Sequence, residues 1–337
     1  MNILVTGGLG YIGSHICTAL AAAGHRSVIV DDCSNASPGV LLRLAAIIGE
    51  TPAFYRFDIA EEGKLAEVLK AEAIDAVIHL AAFKSAPEST KLPLSYYTNN
   101  VAGTLSLLRA MDAVGVRRIV YSSSACVYGG VEEMPVGEDA PTMAINPYGE
   151  TKLMCERIIR DLCASDHRWS GLLLRYFNPV GAHPSGLIGE DPQGEPGNIA
   201  PRILRVLSGQ DAEFTLTGDD FPTPDGTGIR DYLHVMDLAD GHVAAADYVA
   251  AHVGCEVCNL GTGRGISVRE MMEAFERVSG KTIPYRICPR RPGDAAESMA
   301  KAERAAELLG WHARYGLLEM CRDAWRFQQQ NPHGYAD

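Results

Sequence analysis

Tyr148 and Lys152, in the stretch Pro147-Tyr148-Gly149-Glu150-Thr151-Lys152, are the residues whose types and spacing point most directly to chemistry. The pattern predicts a helix from Pro147 to about Ala164, which puts the two side chains four residues apart on one face. A free phenol titrates near ~10, too high for a base at neutral pH, and a fixed ammonium nearby is expected to lower that value. Such a phenolate takes the proton of a hydroxyl while a hydride acceptor takes the hydrogen on the same carbon. Tyr-x-x-x-Lys also occurs as a plain exposed pair, so the elements around it must decide.

The first of these elements is a glycine turn. Asn2 to Thr6 reads as a buried strand and Ile12 to Ala23 as a helix, with Gly7, Gly10 and Gly13 between them. This order suits a dinucleotide fingerprint, in which glycines allow a tight turn, close approach to a pyrophosphate and close helix packing. The spacing is G-x-x-G-x-x-G. A second strand, Arg26 to Val30, leads to Asp31 and Asp32, where a carboxylate binds ribose hydroxyls and repels a 2′-phosphate, which predicts NAD rather than NADP.

Further short apolar strands follow at Ala53 to Phe57, Ala76 to Leu80, Arg118 to Tyr121 and Leu172 to Phe177, separated by helical stretches. That alternation predicts an α/β fold, a Rossmann-type doubly wound parallel sheet covered on both faces. Ligands in such sheets sit beyond the carboxyl ends of the strands, where Asp31, Asp58, Lys84 and Ser124 all fall. Asp58 is placed to meet an adenine amino group.

The texture changes after Asn178. Residues 179–228 are rich in Gly, Pro and Asp, which predicts substrate-binding loops with one helix near Ile199 to Gly209. Regular structure resumes at Arg230 to Val235, and Val257 to Leu260 is expected to be another strand of the first sheet. Helices at Met271 to Ser279 and Lys301 to Leu309 build a smaller mixed α/β C-terminal unit. The resulting division is 1–178 with 230–261 for the dinucleotide domain, and 179–229 with 262–337 for the substrate domain. Arg230 and Arg291 flank loops of the second unit and suit bidentate phosphate binding. His234, Tyr96 and Tyr97 read as packing residues.

Composition excludes several other classes. The 337 residues carry a net charge of -12, which offers no basic field for nucleic acid or an anionic membrane. No apolar run spans a bilayer and no signal peptide is legible, so a cytoplasmic location is expected. Nine scattered cysteines do not form a disulfide framework, and Cys255 and Cys258 lack the second pair a zinc site requires, so no metal site is predicted.

Taken together, the chain resembles the UDP-galactose 4-epimerase family of extended short-chain dehydrogenases/reductases. The matching stretches are Val5-Thr6-Gly7-Gly8 through Tyr11-Ile12-Gly13-Ser14-His15, Tyr97 to Gly103, Ser122-Ser123-Ser124, Pro147-Tyr148-Gly149, Arg175 to Gly186, Glu190 to Gly194 and Asp225 to Tyr232. The resemblance implies that Tyr148 is general base and acid, that Lys152 holds the nicotinamide ribose and tunes the phenol, and that Ser124 bonds the reacting hydroxyl. It implies cofactor contacts at Tyr11, Ile12, Asp31, Asp32, Asn35, Asp58, Ile59, Leu80, Ala81, Lys84, Asn99, Ser122 and Tyr176. UDP-sugar contacts would come from Lys84, Asn178, Asn198, Thr217, Arg230, Arg291, Asp294 and Ser298. It further implies a homodimer through helices around Asn100 to Met111 and Pro147 to Ile159.

The implied reaction oxidises a sugar at C4, lets the ketone turn over and returns the hydride to its other face. Pro87 stands where the family has glycine, and Thr217 where it often has an aromatic. Ser298 falls where a bulky tyrosine confines relatives to plain hexoses, so N-acetyl sugars are expected to fit as well. A 4,6-dehydratase would need acids directly after Ser124, where Ala125 and Cys126 stand. A UDP-glucuronate epimerase would need a carboxylate-binding pocket. A non-catalytic NAD-responsive binding protein would be expected to lose Tyr148 or Lys152.

Overall fold

The computed structural model describes residues 1–131, 133–291 and 293–335. Its strands in chain order are β1 (Asn2–Thr6), β2 (Arg26–Asp31), β3 (Ala53–Arg56), β4 (Ala76–His79), β5 (Arg118–Ser122), β6 (Ser170–Tyr176), β7 (Asn178–Val180), β8 (Phe214–Thr217), β9 (Ile229–His234), β10 (Gly254–Leu260), β11 (Gly265–Ser267), β12 (Tyr285–Cys288) and β13 (Glu297–Ser298). Seven of them form one parallel sheet in the order β10-β6-β5-β4-β1-β2-β3. Successive strand residues feed opposite cores: Ile3, Val5, Ile29, Val120 and Leu172 lie in one, and Leu4, Val28, Val30, Ile119 and Leu173 in the other. Both faces are therefore buried, which is why these strands read as unbroken apolar runs.

The chain crosses from β3 back to β4 beside β1, so the connections leave β1 and β4 in opposite directions and open a crevice between their ends. Two helices frame it. Tyr11–Ala22 follows β1, and Pro147–Ser165 packs on β6 and β10 with Leu153, Cys155 and Ile159 facing inward.

The second unit is built differently. β9 pairs with β7, β11 and β13, and β8 pairs with β12, over a third core that includes Ile203, Phe214, Tyr232, Met271 and Phe275. The helix expected near Ile199 runs Ile199–Leu207, and Gly254–Leu260 joins the large sheet as expected. The segment beginning at Arg230 does not: its strand lies in the small sheet, and the chain returns to the large one only through the helix Val235–Ala251 and β10. Period alone cannot assign a six-residue strand to one of two sheets. The 179–228 region also holds β8, and the helix Leu317–Gln330 closes the third core. No helix among the described residues is long and apolar enough to cross a membrane.

Candidate active site and dinucleotide crevice

The helix that carries Tyr148 and Lys152 begins immediately before them. Asn146 caps it by accepting from the Gly149 amide at 2.9 Å, and Pro147 occupies its first turn, where a missing N–H costs nothing. Tyr148 is 7% exposed and Lys152, one turn on, 3%. A Cβ on Gly149 would lie 2.8 Å from the Cys126 carbonyl oxygen, so only glycine lets this helix rest against the turn after β5. That turn carries Ser124, whose hydroxyl accepts from the Cys126 amide at 3.2 Å. Close packing of the two segments is what puts phenol and hydroxyl in one place.

Lys152 Nζ donates to the Ser122 carbonyl at 2.7 Å and lies 5.0 Å from the centre of the Tyr121 ring. Burial lowers its pKa to about 8. The Tyr148 phenol, in contrast, is pushed well above its ordinary value by burial and by Tyr176 and Cys126 beside it, with Ser124 pulling the other way. The expectation that Lys152 lowers this phenol is therefore corrected for the protein alone: burial is the largest influence and raises it, and the ammonium is directed at a backbone carbonyl. Burial also raises Cys126, and neither it nor Ala125 offers the carboxylic acid after Ser124 that an elimination would need.

Behind this site stands a network that sequence reasoning missed. Arg175, on β6, donates to Glu156 at 2.9 and 2.6 Å, and Ser123 donates to the same carboxylate at 2.6 Å. Glu156 lies one turn past Lys152, so the contact fixes the catalytic helix to the strand end that bears Ser124. Asn100, also missed, donates to Thr151 at 2.9 Å and to the Phe83 carbonyl at 3.1 Å, tying the loop of Lys84 to the same helix. It sits in a π-helical turn, Tyr97–Ala102, which also holds Asn99.

The crevice fits a dinucleotide. Gly7 has φ of 72°, and a Cβ there would lie 3.0 Å from the Ala81 amide nitrogen, so the loops after β1 and β4 touch at the crossover. A Cβ on Gly13 would lie 2.2 Å from the Gly7 carbonyl oxygen. The helix in whose first turn it lies has no side-chain cap at Gly10 and no acidic residue in that turn, leaving amides to face an anion. Asp31 is held by the Leu9 and Cys33 amides at 3.1 and 2.9 Å, while burial raises its pKa. Leu80 and Ala81 are tied to Thr6, whereas Asp32 and Asn35 are exposed. Asp58 and Asn99 line a cavity of about 390 Å³ with Phe83 and Leu94, and Ile59 is buried against Gly103. Ile12 packs on the first core, and Tyr11 donates to the Gly181 carbonyl at 2.8 Å.

On the second unit, Arg230 donates to Asp294 at 3.1 Å, and its strand partner in β13 is Ser298. Glu190 joins two predicted residues, accepting from Lys84 at 3.4 Å and Asn198 at 2.6 Å. A carboxylate is a poor sequence signal for binding an anionic substrate, which is why Glu190, though within a matching stretch, was given no role. Asn178 lies on β7 and Thr217 ends β8, near a cavity of about 620 Å³ lined by Gly218, Asp220 and Arg290. Arg291 is exposed and close enough to Arg202 to help lower that guanidinium's pKa, after burial. His234 is fully buried, accepting from the Met236 amide, and Tyr96 is buried, as a packing role requires.

Fold and site together define a dinucleotide-binding enzyme of the doubly wound class, with Ser124, Tyr148 and Lys152 gathered at one end of its large sheet. The chain belongs to the NAD dependent epimerase/dehydratase family, matched over residues 3–261. It is 51% identical over 335 residues to a UDP-glucose 4-epimerase of Bacillus subtilis, covering 99% of each chain. It also superposes on the UDP-glucose 4-epimerase of Stenotrophomonas maltophila with bound NAD and formylated UDP-arabinopyranose, at TM-score 0.97 and 48% identity, covering 98% of this chain and 99% of that one. The Bifidobacterium longum enzyme in complex with NAD+ and UDP gives TM-score 0.96 and 45% identity, covering 99% and 100%.

Proposed function

We propose that this protein interconverts UDP-glucose and UDP-galactose by inverting C4 through a transient 4-keto sugar. NAD, when bound, supplies the acceptor and donor of the C4 hydride. Tyr148 takes the proton of the 4-hydroxyl and later returns one, while Ser124 holds that oxygen. Lys152, still cationic below about pH 8, stabilises negative charge on the phenol once a ligand replaces the missing solvent. Asp31 selects NAD by its charge, and Gly7, Gly10 and Gly13 with the uncapped helix receive the pyrophosphate. Arg230, Arg291, Asn178 and Asn198 grip the UDP, leaving the sugar free to present either face.

The observation that carries this reading is the buried phenol of Tyr148 packed beside Ser124 with Lys152 one helical turn behind. Purified protein given UDP-galactose and NAD should form UDP-glucose in a coupled assay; absence of turnover with NAD bound overturns the reading.

Two finer readings accompany it. Ser298, half-buried on β13 beside Arg230, is a small side chain where a tyrosine would be bulky, and on this reading UDP-GlcNAc and UDP-GalNAc are substrates too. The protein pairs as a homodimer in the cytoplasm through the helices Gly103–Val114 and Pro147–Ser165, near which Leu94 and Leu105 are exposed, Leu94 by 80%. Sedimentation at a single monomeric mass would reject the dimer.

A further inference from the structure

Cys163 and Cys255 lie 92 residues apart in sequence, as their numbers give, yet both sulfurs lie against Gly171. Cys255, on β10, is the register partner of Gly171 on β6, and Cys163 comes down onto the same spot from the last turns of the catalytic helix. A Cβ built on Gly171 would lie 3.2 Å from the Cys163 sulfur and 3.3 Å from the Cys255 sulfur. The missing side chain leaves a gap that both thiols fill. The neighbouring Cys255 thiol holds Cys163 below its ordinary value, whereas Cys255 is raised. Cys163 is 5% exposed and Cys255 half-buried, so a small oxidant reaches the pair at the edge of the sheet.

We propose that Cys163 and Cys255 form an oxidation site that closes to a disulfide when the protein meets a peroxide. The Cys163 thiolate attacks one peroxide oxygen, forming a sulfenic acid and releasing hydroxide, which takes up a proton to become water. The Cys255 thiol then displaces the sulfenic oxygen as a second water, and the S–S bond forms. Two thiols lose two electrons and two protons, and one hydrogen peroxide becomes two waters. The bridge joins the far end of the helix that carries Tyr148 and Lys152 to the edge strand of the sheet. This site is independent of the substrate proposed above.

The test uses the intact protein, treated with hydrogen peroxide, capped with iodoacetamide and digested without reductant. Mass spectrometry should find the Cys163 and Cys255 peptides joined, lighter by two hydrogens and separated again by dithiothreitol. C255S should abolish the joined peptide and leave a Cys163 sulfenic acid that dimedone traps. Gly171→Ala, which puts a methyl 3.2 and 3.3 Å from the two sulfurs while keeping both, should slow cross-linking at least tenfold with the protein still folded by circular dichroism. Both cysteines recovered alkylated while others oxidise, or unchanged cross-linking in Gly171→Ala, would overturn the proposal.

Discussion

Arg175 meets Glu156 through two parallel hydrogen bonds, at 2.9 and 2.6 Å, with both side chains at most 3% exposed. The pair joins the sheet to the helix that carries Tyr148 and Lys152, and Ser123 completes it. Breaking a buried pair from one side strands a charge and typically costs about 3–5 kcal/mol, whereas replacing both partners costs much less. Arg175→Met should therefore destabilise strongly, and the double variant with Glu156→Leu should recover much of the loss. Urea unfolding of the four proteins measures this. Additive losses would contradict it.

Tyr148→Phe removes the phenolic oxygen and little else. Turnover on UDP-galactose should fall by about 10²–10⁴-fold, the range for a lost general acid–base, with UDP affinity within about twofold of the parent. Steady-state kinetics and calorimetric titration of UDP separate the two effects.

Gly13→Ala tests the dinucleotide crevice. Its Cβ would meet backbone, the Gly7 carbonyl oxygen at 2.2 Å, which cannot rotate away. NAD content of the purified protein, read by absorbance after denaturation, should drop by at least about tenfold as the turn is forced open.

Acid should unfold the protein early. His15 and His79 are lowered to about 3 and His242 to about 4, each first by burial. The unfolded chain takes up these protons near pH 6.5, so between there and pH 4 it binds more protons than the folded chain and stability falls as pH falls. At pH 5 each histidine costs about 2 kcal/mol, an upper-range figure at ~1.4 kcal/mol per pH unit. Asp31 and Asp231, raised by burial, offset part of this. Far-ultraviolet circular dichroism should show cooperative loss of structure between pH 6 and 4; a fully folded protein at pH 3 would refute the sum.

Ser298→Tyr should cut turnover of UDP-GlcNAc by more than about tenfold and leave UDP-galactose within about threefold, one lost pocket being worth about 1–3 kcal/mol. Parallel assays on both sugars decide it.

Much of this molecule could be read from its residues. The strand ends bearing Asp31, Lys84 and Ser124 were legible because fully buried parallel strands are short apolar runs with polar residues at one edge. Tyr148 and Lys152 were legible because four residues make one helical turn. Glu190 was not, since its partners Lys84 and Asn198 come from different units and only folding brings them to one carboxylate. Glu156 and Arg175 look alike as surface charges until the interior closes over them. The direction of the Tyr148 shift was hidden for the same reason: burial is a property of the tertiary structure, and it is the largest cause of the rise. β7, three residues long, is too short to carry a period.

Arg230 and Ser298 face each other across a single ladder, on neighbouring strands β9 and β13. On the reading proposed above, the hand that holds the nucleotide and the wall that admits the sugar thus share one scaffold. Backbone movement that widens the one drags the other, so changes in diet of this catalyst should come by trimming side chains at fixed Cα positions, not by reshaping the strands.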